Sequence, residues 1–262
     1  MIELVDVTRK YGDKTAVNNL TLHIPKGELF AFLGPNGAGK TTTIKMLVGL
    51  LRPSAGAVRI CGFDLVSQTR EAQLRLSYVP DQPHLYDKLS GREFLKFVVD
   101  LFGLPPDVGA ARIDREIEHF ELADFVDDLT ESYSHGMKQR LVFASALLHD
   151  PEVLVIDEPM VGLDPRSMRL VKDLLREQAS RGTTIFMSTH TLDVAEEIAD
   201  RIGIVVGGQL RFLGTVTELE AHLKLEGTSL ERLFLTLTNG HLPPSGNSHP
   251  LAEGAARAEA DV

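Results

Sequence analysis

The most specific chemistry in the chain lies at residues 34–41. There, Gly34-Pro35-Asn36-Gly37-Ala38-Gly39-Lys40-Thr41 fits the pattern G-x-x-x-x-G-K-S/T at every fixed position. Glycines at 34, 37 and 39 let the backbone curl so that successive N–H groups point inward at phosphate oxygens. Lys40 is placed to reach the β- and γ-phosphates, the Thr41 hydroxyl to bind Mg²⁺, and Thr42 to add a phosphate contact. A helix starting near Lys40 adds the positive end of its dipole. A Gly-rich turn arising by chance would have no reason to sit between an apolar strand and a helix, so the segment reads as a nucleoside triphosphate site. A second constellation follows 117 residues after Lys40, where Asp157 and Glu158 close the apolar run Val153–Ile156. In phosphoryl transfer the first acid of such a pair holds Mg²⁺, and the second takes a proton from the attacking water.

The text around these residues supplies elements to hold them. Residues 2–7 and 17–24 are β-branched and apolar with partial alternation, and predict antiparallel strands around Gly12-Asp13. Residues 28–33 predict a buried strand, 41–51 a helix closed by Arg52-Pro53, and 56–66 and 75–79 further strands. From about 90 to 150 apolar residues recur at helix spacing, as in Phe94, Leu95, Val98, Leu101 and Phe102. The run 153–156 is too short for a helix and reads as a buried parallel strand. A helix over about 165–180, a strand 183–188, a helix 191–201 and a hairpin 202–213 follow. The expected fold is α/β: a mostly parallel sheet with an N-terminal antiparallel β part and a helical insertion at about 86–146. Residues 1–238 form the expected folded region. From 239 to 262 the text turns to Pro, Gly, Ala, His and Ser and predicts a disordered tail.

Composition removes several function classes. With 37 acidic against 27 basic residues in 262, the formal charge of -10 argues against a long nucleic-acid footprint. The single cysteine, Cys61, excludes an internal disulfide framework and a thiolate zinc site, and reads as core filler. No signal-peptide core and no stretch of roughly 20 apolar residues is present, so a cytoplasmic protein is expected, with any membrane role supplied by a partner.

Four more segments, read with the first two, resemble the nucleotide-binding subunit of an ATP-binding cassette (ABC) transporter over about residues 2–237. Tyr133-Ser134-His135-Gly136-Met137-Lys138-Gln139 looks like the family signature, 23 residues before Asp157. Gly162-Leu163-Asp164 matches the D-loop, Ser188-Thr189-His190 the switch histidine, and Tyr11 the aromatic that stacks on adenine, 23 residues before Gly34. The resemblance implies a P-loop NTPase of RecA-like topology that binds ATP and Mg²⁺. It implies that Ser134 and the Gly136 N–H grip the γ-phosphate held by a second copy, in a head-to-tail dimer, and that His190 contacts the γ-phosphate and orders the water. It further implies a separate transmembrane permease, with the chain peripheral on the inner face of the cell membrane. From the residues alone, Ser134 reads first as the N-cap of an amphipathic helix, and Tyr11 has a packing reading beside the stacking one.

Two departures stand out. His135 replaces a usual glycine and Met137 a usual glutamine, so a side chain at 135 either crowds the facing phosphate or donates to it. The glutamine loop reads Tyr78-Val79-Pro80-Asp81-Gln82-Pro83. Either Asp81 takes the Mg²⁺ contact, or Gln82 does after a one-residue shift, with Gln82 preferred because it keeps the amide. The segment 229–238 resembles the end of ATPases from the bacterial drug, sodium and polysaccharide export branch, and also reads as a short amphipathic helix. The acidic stretch 124–131 is expected to be a solvated helix end. Competing readings are a soluble ABC-type ATPase acting on nucleic acid or ribosomes, and a weakly active regulatory subunit.

Overall fold

The structure, a computed structural model, describes residues 1–238, so the expected tail at 239–262 lies outside the described residues. The chain runs β1 (Ile2–Tyr11), β2 (Lys14–Ile24), β3 (Leu29–Leu33), α1 (Lys40–Leu47), β4 (Ala55–Ile60), β5 (Phe63–Asp64), α2 (Thr69–Gln73) and β6 (Leu76–Val79). It continues through α3 (Gly91–Leu101), α4 (Pro106–His119), α5 (His135–Leu147), β7 (Val153–Asp157), α6 (Pro165–Ser180) and β8 (Thr184–Thr189). It closes with α7 (Leu192–Ile198), β9 (Arg201–Val206), β10 (Gln209–Gly214), α8 (Val216–Leu223) and α9 (Leu230–Thr238).

Two sheets carry these strands. An antiparallel sheet has the order β2-β1-β4-β5, and a second sheet the order β10-β9-β3-β8-β7-β6. In the second, β9, β3, β8, β7 and β6 are parallel and β10 is antiparallel to β9. This matches the expected α/β architecture, and three helices, α3 to α5, separate β6 from β7.

The apolar run of β3 is buried throughout, and its alternation splits it between two cores. Phe30 and Phe32 face Phe186 at ring separations of 5.7 and 5.3 Å and join the core under the antiparallel sheet and α1. Leu29, Ala31 and Leu33 face the other way, into the core shared with α3, α4, α5, α6 and α9. Parallel order puts the ends of β3, β6, β7 and β8 at one edge, where open α/β sheets bind ligands.

Several local expectations change. The stretch 124–131 is no helix end: it is turns leading into a 3-10 turn at Thr130–Ser132, with Asp127 paired to Arg92 at 2.7 Å. Helix α5 is not amphipathic; Leu141, Val142, Phe143, Ala144, Ala146 and Leu147 are all buried, because sheet and helices enclose it on most sides. The helix expected over 41–51 ends at Leu47, and the one expected over 191–201 runs only Leu192–Ile198. Helices α2 and α8 were not expected. Helix α9 is amphipathic as the text suggests, burying Leu230, Leu233 and Leu237. Cys61 is half-buried against the antiparallel-sheet core, and burial pushes its thiol up to about 11.

Candidate nucleotide site

The segment between β3 and α1 is held by close backbone packing. Gly39 precedes α1 at φ +106°, and a β-carbon there would sit 2.5 Å from the Ala16 carbonyl of β2, so only glycine fits. No side chain caps α1 and no acid occupies its first turn, which leaves its first N–H groups free for an anion. Lys40 is buried and its ammonium spans the loop, donating to the Gly34 carbonyl at 2.6 Å and the Pro35 carbonyl at 3.4 Å. Burial holds that ammonium below the usual lysine range, while the charges of Glu158 and Asp157 oppose the shift.

A cleft of about 1080 Å³ opens on this loop. It is lined by Tyr11, residues 35–42, Asp81, Gln82, Asp157, Glu158 and His190. Asp157 ends β7 fully buried and accepts from the Ser188 hydroxyl, its register partner on β8. Burial raises its pKa above the usual carboxylate range, the Ser188 bond opposes this, and Asp81 and Glu158 reinforce it. Glu158, next in sequence, adopts a left-handed backbone at φ +51°. That sparsely populated conformation, costing about 1–3 kcal/mol, turns its carboxylate out of the sheet edge. Its Oε2 accepts from the His190 N–H at 3.1 Å and lies 2.8 Å from His190 Nδ1. Glu158 and His190 therefore touch within one chain.

Oxygen donors dominate this edge. Thr41, Asp81, Gln82 and Asp157 line the cleft, and no group of three or more His, Cys, Asp or Glu suited to a metal occurs among the described residues. One or two carboxylates beside a phosphate cradle is the setting Mg²⁺ takes, rather than an all-protein cage. Burial, with Asp81 and Glu158 nearby, disfavours the Asp157 anion, and a divalent cation would supply the opposing charge. Asp81 and Gln82 both reach the cleft, with the Gln82 N–H donating to Asp81 Oδ1 at 2.8 Å.

The signature and D-loop residues are placed otherwise. Ser134 caps α5, accepting from the Met137 N–H at 3.3 Å, so the capping interpretation holds in the single chain. Nothing approaches within 4 Å of where a Gly136 side chain would be. Asp164 caps α6, accepting from the Arg166 and Ser167 N–H groups at 2.9 and 3.0 Å and from the Ser167 hydroxyl. The Ser167 N–H bond is the chief reason its carboxyl lies below the usual range. Ser134, Gly136 and Asp164 do not line the cleft. Neither does Gly34, which borders a smaller cavity behind the loop with His190 and Phe234.

Sequence reasoning missed several cleft residues. Lys14 brings an unforeseen cation to the cleft and Val161 an unforeseen apolar group, while Tyr133, His135 and Lys138, named from sequence only as part of the signature, line the same cleft. Ser188 was read only as part of a motif; its register opposite Asp157 needs the sheet order to be seen. Tyr11 is exposed on the rim, with the Arg9 guanidinium 4.8 Å from its ring centroid.

With this geometry in place, comparison with known proteins is informative. The ABC transporter family profile matches residues 17–161. The daunorubicin resistance ATP-binding protein DrrA3 of Streptomyces coeruleorubidus is 41% identical over 217 residues, covering 81% of this chain and 67% of that protein. The Nod factor export ATP-binding protein I of Burkholderia orbicola is 40% identical over 208 residues, covering 79% and 68%. Among solved structures, an ATP-binding subunit of an ABC transporter superposes with a TM-score of 0.86 at 32% identity, over 90% of this chain and 99% of that one. A phosphate loop at the end of β3, an acidic pair at the end of β7 and a histidine at the end of β8 thus sit on a fold and sequence shared with these proteins, and the chain belongs to the ABC transporter family as an ATP-binding, ATP-hydrolysing subunit.

Proposed function

We propose that the chain energises export through a separate transmembrane permease, and that two copies close head to tail on ATP to do so. The observation that carries the dimer is the split in the site. Lys40, Asp157, Glu158 and His190 converge on one cleft; His135 and Lys138 in the first turn of α5 reach its edge, but Ser134 and Gly136 do not line it. Once the Ser134 cap on the Met137 N–H is given up, the start of α5 offers amides and a hydroxyl to an anion, and the facing cleft of a second copy would supply the γ-phosphate. The relatives named for daunorubicin resistance and Nod factor export support the export direction. No helix among the described residues is long and apolar enough to cross a membrane, so the permease would hold the chain at the inner membrane face. Exposed Tyr86, Phe97 and Leu129, beside the acidic 124–131 stretch, form the apolar surface we assign to that permease.

In this reading the amides of 37–41 and Lys40 hold the β- and γ-phosphates, and Tyr11 stacks on the base. Thr41, Asp157 and Gln82 would hold Mg²⁺, which would supply positive charge beside the phosphates. Glu158 accepts the proton of the attacking water, and His190 holds Glu158 and reaches toward the γ-phosphate. Asp164, which caps α6, ends the D-loop segment that follows the acidic pair.

The test is Glu158→Gln. Loss of a general base lowers turnover by about 10²–10⁴-fold, with ATP binding retained. The variant should migrate as a dimer in Mg-ATP and bring down a multi-spanning protein from gently solubilised membranes. A Glu158→Gln protein that stays monomeric and hydrolyses ATP, or is recovered only with ribosomes or DNA, removes the proposal.

A further inference from the structure

His135 is the side chain by which this signature differs most from its family, and the structure gives it a partner. Its Nε2 lies 3.1 Å from the Val161 carbonyl oxygen, on the segment between the acidic pair and Asp164. A carbonyl only accepts, so the ring must carry its proton on Nε2 at this contact. The neighbouring residue makes room for it. Gly162 sits at φ +74°, and a β-carbon there would lie 2.7 Å from His135 Cδ2. The ring is therefore seated on the backbone of residues 161–162, with Gly162 as its floor.

The same backbone leads straight to the base. The Val161 N–H donates to the Glu158 carbonyl at 3.3 Å, the Glu158 N–H donates to the Ser188 carbonyl at 3.0 Å, and the Glu158 carboxylate holds His190. His135, Val161, Glu158 and His190 all border one cleft. A tight turn runs from Glu158 to Val161, so a change in the position of the Val161 carbonyl is felt at the left-handed Glu158.

We infer that His135 is a positioning residue for hydrolysis: it braces the signature turn against the 161–162 backbone and so fixes Glu158 relative to the anion-binding start of α5. A glycine at 135 has no side chain to make this brace. The two fates considered from sequence, crowding the facing phosphate or donating to it, both require a ring aimed away from its own chain. The contact to Val161 takes that donor nitrogen inward instead. This inference rests on the proposal that Glu158 activates water.

The experiment compares His135→Ala with His135→Gln in the full-length chain, with the permease if it is required for turnover. Gln places an amide N–H within similar reach of the Val161 carbonyl; Ala removes the donor and keeps the backbone. His135→Ala should lower kcat about 3- to 10-fold, the range of couplings carried through such packed segments, with KM for ATP unchanged. His135→Gln should restore most of the loss. A second readout does not depend on turnover: in His135→Ala the amides of 161–163 should exchange hydrogen faster, and in His135→Gln near the wild-type rate. Unchanged kcat in His135→Ala, a rise in KM instead of a fall in kcat, or equal losses in both variants overturns the inference. Should the wild-type protein prove unable to hydrolyse ATP, the Glu158 proposal fails. The exchange result then reports on the brace separately.

Discussion

The phosphate-loop half of this molecule and the signature half are built in opposite ways. In the first, the acids and the loop leading into Lys40 stand at the ends of buried parallel strands, and each group is held within its own chain: Lys40 by carbonyls of its loop, Asp157 by Ser188, Glu158 by His190. In the second they stand at helix N-termini on the surface, where Ser134 and Asp164 spend their oxygens capping α5 and α6. The strand-end groups are preorganised in a single chain. The helix-start groups satisfy themselves until something better arrives. The difference teaches where assembly must act: a partner need not build the first half, but it must displace a cap in the second.

This contrast can be broken experimentally, starting with its strongest side. Lys40→Ala removes a preorganised donor, so turnover should fall about 10²–10³-fold and nucleotide binding weaken even in a monomer. Near-normal ATPase in that variant would dissolve the phosphate-loop half. Ser134→Ala should lower dimer turnover about 10–100-fold, the scale of a hydrogen bond to a charged group, while leaving ATP affinity of the monomer unchanged. If monomer affinity drops too, Ser134 belongs to its own chain's site and the two halves are one. Tyr11→Ala should weaken ATP binding about 10-fold through lost base stacking, and Tyr11→Phe should not. Equal losses in both would point to packing of the Arg9–Tyr11 pair instead.

The smallest effect concerns stability. Asp157 has a folded-state pKa raised by burial, so the folded chain holds its proton more tightly than the unfolded chain. Stability from this group therefore falls as pH rises above the unfolded value of about 3.9 and stays reduced beyond the folded value. Asp157→Asn removes that loss and keeps an acceptor for Ser188. Its Tm without nucleotide should exceed wild type at pH 7 by about 2–4 °C, the shift of ~1 kcal/mol in a chain of this length. The gap should narrow as pH falls. Mg-ATP should raise the wild-type Tm more than the variant's. A lower Tm for Asp157→Asn at pH 7 would show that the charge is compensated within the chain.

The same contrast explains what could be read from the text. The phosphate loop and Asp157-Glu158 were legible because strand, turn and helix must follow one another in sequence for the chemistry to exist at all. Helix α8 was not, although Thr215 and Glu218 form a reciprocal capping box that offered a local signal. The acidic 124–131 stretch misled because charge resembles a helix end, whereas its conformation is set by Arg92 and by backbone bonds to residues 87 and 89. The roles of Ser188 and His135 needed partners 31 and 26 residues away, which no local pattern reveals.

Strand β3 carries a further consequence, for synthesis rather than catalysis. Its only sheet neighbours among the described residues are β8 and β9, beginning at Thr184 and Arg201, and the Leu29 N–H bonds to the Asp200 carboxylate. A nascent chain extended at roughly 5–20 residues per second must wait on the order of ten seconds between emergence of that strand and of its neighbours. Through that interval Leu29–Leu33 is an unpaired apolar ribbon, a target for chaperones or for a neighbouring polysome product. A chain cut short before residue 184 would contain every letter of the phosphate motif and neither of the strands that pair with β3. The motif is spelled early and acquires its meaning late.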